Sequence, residues 1–472
     1  MLFNSLAFMA FLPVVFVAYW WLFPGLRKQN VFVLFASWSF YAWWDWRFLG
    51  LLLISSLGDY WIGRALGATD SPARRKNLLR LSIALNLGML GFFKYFDFFI
   101  AGFAEMVGQF GFHANMPVLN ILLPVGISFY TFQTLSYTID IYRGVIKPTR
   151  DPVAFAAFVA FFPQLVAGPI ERARDLLPQF EKPRAFSTAE ARDGLRQMLW
   201  GFFKKIVVAD TCGPLADAVF AMDPGTTSGT TLLFGVLCFA FQIYGDFSGY
   251  SDIAIGCARL FGFRLSRNFN YPYFARDIAE FWRRWHISLS SWFRDYVYIS
   301  LGGWRGRWGR LRNIMITFAA SGLWHGANWT FITWGALHGA YYLPGLAVAK
   351  VERSEHAAIR DLPRILLTFV LVLIAWVFFR APTVGSAFDH LWYMVANAGV
   401  RRYEFAEWLD NAVWGPVLVM FTVEWNARRC QHGLAILPKS IFLRWSCYLA
   451  LVVLILLNID LFTPHAFIYF RF

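Results

Sequence analysis

Apolar residues in this chain come in long runs separated by short polar loops. The runs lie near 5–23, 31–63, 79–105, 118–138, 153–168, 198–219, 230–262, 311–346, 363–380, 412–424 and 441–463. Several are long enough for two bilayer crossings and a few are too short for one. At roughly 20 residues per crossing they predict an all-α polytopic membrane protein with about eleven to thirteen transmembrane helices or half-helices. The opening "MLFNSLAFMAFLPVVFVAYWWLFPG" has no basic leader and no small-residue cleavage site, so it reads as a retained first span. The loops "GATDSPARRKN" (67–77) and "KVERSEHAAIRDLPR" (350–364) are short and basic, which places them on the cytoplasmic side. No long linker or clear repeat interrupts the pattern, and residues 1–472 read as one membrane domain.

Two segments depart from plain apolarity. In "IAEFWRRWHISLSSWFRDYVYISL" (278–301), helical periodicity gathers Trp282, Trp285, Leu289, Phe293 and Tyr296 on one face. Arg283, Arg284, Ser291, Arg294 and Asp295 fall on the other. This predicts an amphipathic helix that lies in the interface or re-enters the protein, with His286 at the edge of its aromatic face and pointing inward. In the second segment, Thr317, Ser321, His325 and Asn328 follow at spacings of four, four and three. They form a polar stripe on an otherwise apolar helix. Such a stripe cannot face lipid, so it must line a protein interior or a watery cavity. His338 falls on another face and reads as a packing or hydrogen-bonding histidine.

Composition strengthens the membrane reading: 58% of residues are hydrophobic and 15% charged, against about 25% charged in ordinary soluble domains. The 22 tryptophans suit many headgroup boundaries. Half of the net charge of +14 sits between Arg264 and Arg312, where ten arginines meet Asp277, Glu280 and Asp295. That bias predicts a cytoplasmic segment, and it also suits an anionic donor. No soluble basic domain exists to bind nucleic acid. Asp246 and Asp252, with Ser248 and Ser251, stand in apolar surroundings and must be paired. They serve either structural hydrogen bonding or the shape of a substrate channel. The five cysteines show no metal-ligand spacing and read as core filling. There is no Walker loop, HExxH or GxSxG, and no histidine pair at i, i+4, so no metal requirement is expected.

Two inward-facing histidines on different elements thus stand out. Each is either a satisfied contact between helices or an imidazole base able to deprotonate a hydroxyl that attacks an ester or thioester. Here the motifs become specific: "PVGISFYTFQTLSYTIDIYRG" (124–144), "FFPQLVAGPIERARDLLPQF" (161–180), the run from "YGDFSGYSD" to "ISLGG" (244–303), and "SGLWHGANWTFITWGALHG" (321–339). Through these and the terminal "HAFIYFRF", the chain resembles the membrane-bound O-acyltransferase family, in its bacterial alginate O-acetylase-like branch. The resemblance implies a ring of helices around a funnel and tunnel. It implies that His325, in "LWHG", is catalytic as base or transient acyl carrier. It makes His286 a second essential position, occupied by asparagine in many eukaryotic relatives, that hydrogen-bonds the acyl carbonyl or orients the donor. Trp324, Asn328, Ser321, Trp285 and Asp246 are candidates to line the tunnel or substrate site.

The resemblance further implies a donor thioester, acetyl-CoA or an acyl carrier, with no permanently bound cofactor. Implied partners are membrane lipid, an extracytoplasmic O-acetyltransferase and the polysaccharide synthesis and export machinery at the bacterial inner membrane. The alternative from another class is a transporter of a small molecule or lipid-linked sugar using a histidine and aspartate proton relay. Paired discontinuous spans in two halves would favour it, and the sequence shows no such repeat.

Overall fold

The computed structural model describes residues 1–111, 124–166, 168–304, 306–346, 356–398, 412–460 and 467–470. Parts of the 118–138 run, the 350–364 loop and the C-terminal motif, together with Arg305, lie outside these. Among the described residues the secondary structure is helical, without strands. By contact the chain divides into two compact units: Ala7–Ala191 with Ala258–Leu265 and Met1, and Leu2–Leu6 with Arg192–Cys257 and Ser266–Phe472.

In the first unit, α1 (Leu49–Gly67), α2 (Pro72–Leu90) and α3 (Ile127–Tyr142) pack together. Fourteen of the sixteen residues of α3 are buried, so it carries hydroxyls that lipid would not tolerate. Their partners are on the neighbouring helices. Asp59 accepts from Ser82 Oγ and Asn86 Nδ2, both at 2.6 Å, and Thr134 donates to Asn86 Oδ1 at 3.0 Å. Thr138 and Ser82 hydroxyls lie 2.8 Å apart. Interhelical bonds of this kind join membrane helices where apolar surface alone cannot distinguish protein from lipid.

α4 (Gly229–Leu260), which belongs to the second unit up to Cys257, is a 32-residue helix whose apolar window is 89% buried inside the protein. It is followed by the short α5 (Ile278–Arg284) and α6 (Ile287–Trp292), then by α7 (Arg307–His325) and α8 (Trp329–Tyr342). The helix Ile441–Asn458 is the opposite of α4. Only 11% of its apolar window is buried, and Phe442, Leu449, Leu456 and Leu457 are exposed, as lipid-facing residues would be.

The helical architecture agrees with the hydropathy runs. Four helices among the described residues are long and apolar enough to span: Pro72–Gly108, Gly229–Leu260, Ile359–Arg380 and Ile441–Asn458, with Leu6–Leu22 apolar but shorter. Elsewhere the runs are broken by turns or diluted by buried polar residues, as in α3. The 311–346 run does hold two helices, α7 and α8, as its length predicts.

Candidate active site

The predicted amphipathic helix over 278–301 is not continuous. Asp277 caps α5 by accepting from Glu280 N at 2.7 Å, and α5 stops at Arg284. Trp285 is extended and His286 is left-handed, at φ 42° and ψ 55°. Tyr271 and His286 are the two non-glycine residues with positive φ among the described residues. A non-glycine residue is held there only when its surroundings over-determine it.

The surroundings are the segment 268–270. Asn270 N donates to Arg284 O at 2.9 Å, and Ile287 N donates to Asn268 O at 2.8 Å. The Asn268 side chain restarts the helix, with Oδ1 taking Ser288 N at 3.3 Å and Ser288 Oγ at 2.9 Å. Periodicity also misplaces a side chain within α5 itself. Arg284, expected on the polar face, is buried with Arg276 against Glu280, at 2.7 Å and 2.8 Å. Burial pushes the Glu280 carboxyl up, but hydrogen bonds from Arg276 and the Arg284 charge outweigh it and hold the group below the usual carboxylate range.

His325 is the last residue of α7, and its position depends on how closely α7 meets α8. A Cβ on Gly322 would fall within 3.0 Å of Phe331 O, and one on Gly335 equally close to Phe318 O. Only glycine permits that approach, the small-residue packing of membrane helices. The polar stripe is shorter than predicted. Thr317 and Ser321 remain on α7, but Asn328 lies beyond its end and caps α8. It accepts from Thr330 N at 3.0 Å and donates to Pro382 O at 3.1 Å. The chain turns at Gly326, so the last step of the spacing does not continue the helical face. His338 is fully buried and accepts from Trp282 Nε1 at 3.3 Å, the hydrogen-bonding role expected of it.

His286 and His325 come together. Their ring centroids are 6.4 Å apart, and the residues are 0% and 2% exposed. Trp324 closes one side, 5.9 Å from His286 and 5.0 Å from His325. Phe247 lies 4.5 Å from His286, while Trp334 and Phe379 lie 5.1 and 5.3 Å from His325. Trp285 forms the wall behind, packed on Phe281 and Trp376. The separation is too long for a direct bond between the rings and has the span of one hydroxyl or carbonyl between them.

Sequence reasoning missed Tyr469. Its ring is 5.5 Å from His325 and 4.6 Å from Phe247. Asp246 anchors it through the next residue, with Ile468 N donating to Asp246 Oδ2 at 2.6 Å. Asp246 is itself held by Lys205 at 2.7 Å, and Lys205 also meets Asp210 at 2.8 Å. Lys204 pairs with Asp252 at 2.7 Å. The two aspartates are thus paired, as expected, and Asp246 fixes the site's wall. The aromatic "FIYF" after the last apolar run was the available signal, but its contact spans more than 140 residues of chain.

Beside both histidine-bearing elements runs a cleft of about 460 Å³, lined by Trp282, Arg283, Arg294, Arg310, Thr317 and Ser321, among others. Of the four stripe residues, Thr317 and Ser321 line this cleft. Arg294 pairs with Asp295 at 2.6 Å. Arg310 lies 4.0 Å over the Trp304 ring, and neither Arg310 nor Arg283 has an acidic partner among the described residues. The basic segment is therefore part brace and part uncompensated charge. No group of three or more histidine, cysteine, aspartate or glutamate residues suited to a metal occurs among the described residues.

The chain matches the model of the MBOAT, membrane-bound O-acyltransferase family over residues 46–382. It is 44% identical to the probable alginate O-acetylase of Azotobacter vinelandii, over 86% of this chain and 79% of that protein. It is also 44% identical to the probable alginate O-acetylase of Pseudomonas aeruginosa, over 82% and 73%. With the peptidoglycan O-acetyltransferase of Helicobacter pylori it shares 37% identity over 85% and 81%. The buried histidine pair thus belongs to an acyl-transfer scaffold, and the chain is a member of the membrane-bound O-acyltransferase family.

Proposed function

We propose that this protein moves acetyl from a cytoplasmic thioester, acetyl-CoA or an acyl carrier, to serve O-acetylation of an extracytoplasmic polysaccharide of the alginate type. It would act in the bacterial inner membrane with an extracytoplasmic O-acetyltransferase and the polysaccharide machinery. The observation that carries the reading is the pair of buried imidazoles from separate elements, 6.4 Å apart within an aromatic enclosure. His325 serves as base. It takes the proton of the attacking hydroxyl as that oxygen bonds to the thioester carbonyl carbon. When the tetrahedral adduct collapses, the carbon–sulfur bond breaks and the proton passes to the departing thiolate, leaving an ester and a free thiol. His286 orients the donor. The cleft supports donor approach, because its aromatic wall suits a pantetheine arm and Arg283 and Arg310 suit a phosphate. Arg310 and His325 are fifteen residues apart on α7, about 22 Å of helix, a distance comparable to an extended phosphopantetheine arm.

The test is His325→Ala, measured as thiol release from radiolabelled acetyl-CoA and as O-acetyl content per unit of folded protein. Turnover should fall by roughly 10²–10⁴-fold, the usual contribution of a positioned base, with membrane insertion and melting temperature retained. Near-normal specific activity in this variant would remove the enzymatic reading and return the transporter in its place.

A further inference from the structure

The two nitrogens of His286 are in different situations. Nδ1 lies 3.1 Å from Asn268 Oδ1. Nε2 is buried and has no hydrogen-bond partner among the described residues. Which nitrogen carries the proton follows from the partner. The Asn268 atom facing the ring must be the oxygen, because it also sits 3.3 Å from Ser288 N, a permanent donor, and 2.9 Å from the Ser288 hydroxyl. The amide nitrogen faces the other way and donates to Ser251 Oγ at 3.2 Å. An amide oxygen only accepts, so Nδ1 must donate. In the neutral ring, Nε2 is then the lone-pair nitrogen.

We infer that Asn268 is a positioning residue. It holds His286 in the Nδ1–H tautomer, so that the nitrogen presented to the substrates is the unprotonated Nε2, a hydrogen-bond acceptor. This deepens the acyltransfer reading and rests on it. It rules out one of the two roles the sequence allows His286, since a neutral ring in this tautomer has no proton to offer an acyl carbonyl. His286 instead orients a substrate N–H or O–H. The same asparagine sets the backbone, taking Ile287 N on its own carbonyl at the left-handed turn. One residue therefore fixes ring direction, tautomer and the start of α6 together, the outer-shell role that carboxylates and carbonyls play for histidines elsewhere.

The test combines a direct and a kinetic readout on the full-length protein in lipid. Ring-15N-histidine spectra, with the His286 signals assigned by their loss in His286→Asn, should show Nδ1 protonated and Nε2 bare. In Asn268→Ala the Nε2–H form should appear, and turnover should fall about tenfold, the factor set by one ordinary hydrogen bond.

Asn268→Asp keeps every acceptor contact and adds a negative charge beside the ring. Protonation of Nε2 removes the acceptor, so rate is lost as pH falls through the imidazole's pKa. A carboxylate raises that pKa and should move the acid limb of the rate–pH profile upward by about one pH unit or more, with the rate recovered at high pH. The rings packed on His286 are Phe247, Phe269, Trp324 and His325, of which His325 is titratable, and the charged pair next to Phe247 is Asp246 with Lys205.

A purely structural brace would lower protein amount or melting temperature and leave both the spectrum and the acid limb unmoved. That result, or an Nε2–H signal in the unmodified protein, overturns the inference. The two readings fail separately: an active His325→Ala removes the enzyme reading, whereas an inactive His325→Ala with an unshifted Asn268→Asp profile removes only this one.

Discussion

A single methyl group at Gly335 should report how finely His325 is placed. In Gly335→Ala the new Cβ would fall within 3.0 Å of Phe318 O, whereas ordinary contact begins at 3.4 Å. The obstacle is backbone, so α7 and α8 must part by at least about 0.4 Å at their crossing. Overpacking of this kind typically costs about 1–3 kcal/mol, enough to lower the melting temperature without unfolding a membrane domain. The effect on chemistry should be larger in proportion. His325 ends α7 one turn after Gly322, which faces the same crossing, and misplacement by about 1 Å costs about 10²-fold in rate, so turnover should drop roughly tenfold. The assay is turnover per unit of folded, detergent-extracted protein, with melting temperature measured on the same preparation. Because Gly322 and Gly335 meet at one crossing, the double alanine variant should lose less than the two single losses combined. Unchanged turnover and melting temperature in Gly335→Ala would refute the claim that glycine contact positions the histidine.

Three other outcomes follow from the geometry. Lys205→Met leaves Asp246 buried without its cation, a change of about 3–5 kcal/mol that should deplete inserted protein; adding Asp246→Asn should restore part of it, read by membrane-fraction level and melting temperature. Arg283→Gln with Arg310→Gln should raise the donor KM about tenfold while leaving kcat near normal and weakening the salt dependence of binding, and an unchanged KM would exclude the cleft as the donor's route. Arg310→Cys should resist an impermeant thiol reagent in intact cells and react after permeabilisation; labelling from outside would overturn the cytoplasmic placement of the basic segment.

The site's two histidines were legible because each breaks a rule that apolar segments otherwise keep. Their setting was less so. Periodicity ran straight through Trp285 and His286, since the acceptors and donors that break the helix belong to Asn268 and Asn270, which no local pattern connects to it. At Asn328 the signal was present. Glycine after His325 and asparagine before Trp329 are stop and cap residues, and they end the helix although the apolar run continues past them. That Asp246 needed a partner followed from its apolar surroundings. That the partner is Lys205, and that the other oxygen anchors the chain beside Tyr469, depends on contacts no spacing encodes.

The left-handed backbone at 286 also acts as a filter on what evolution and mutagenesis can try there. At φ 42° a β-branched or bulky side chain is strained, whereas histidine, asparagine and aspartate are the non-glycine residues most often found in that region. Exchange between histidine and asparagine therefore crosses no backbone barrier. His325 has no such filter. It ends a regular helix, so what limits substitution there is the room and the contacts its buried side chain has. A saturation library should show the difference directly: at 286, survivors confined to a few residues by the turn, and at 325, survivors confined by what the aromatic enclosure can hold, of which the active ones carry histidine.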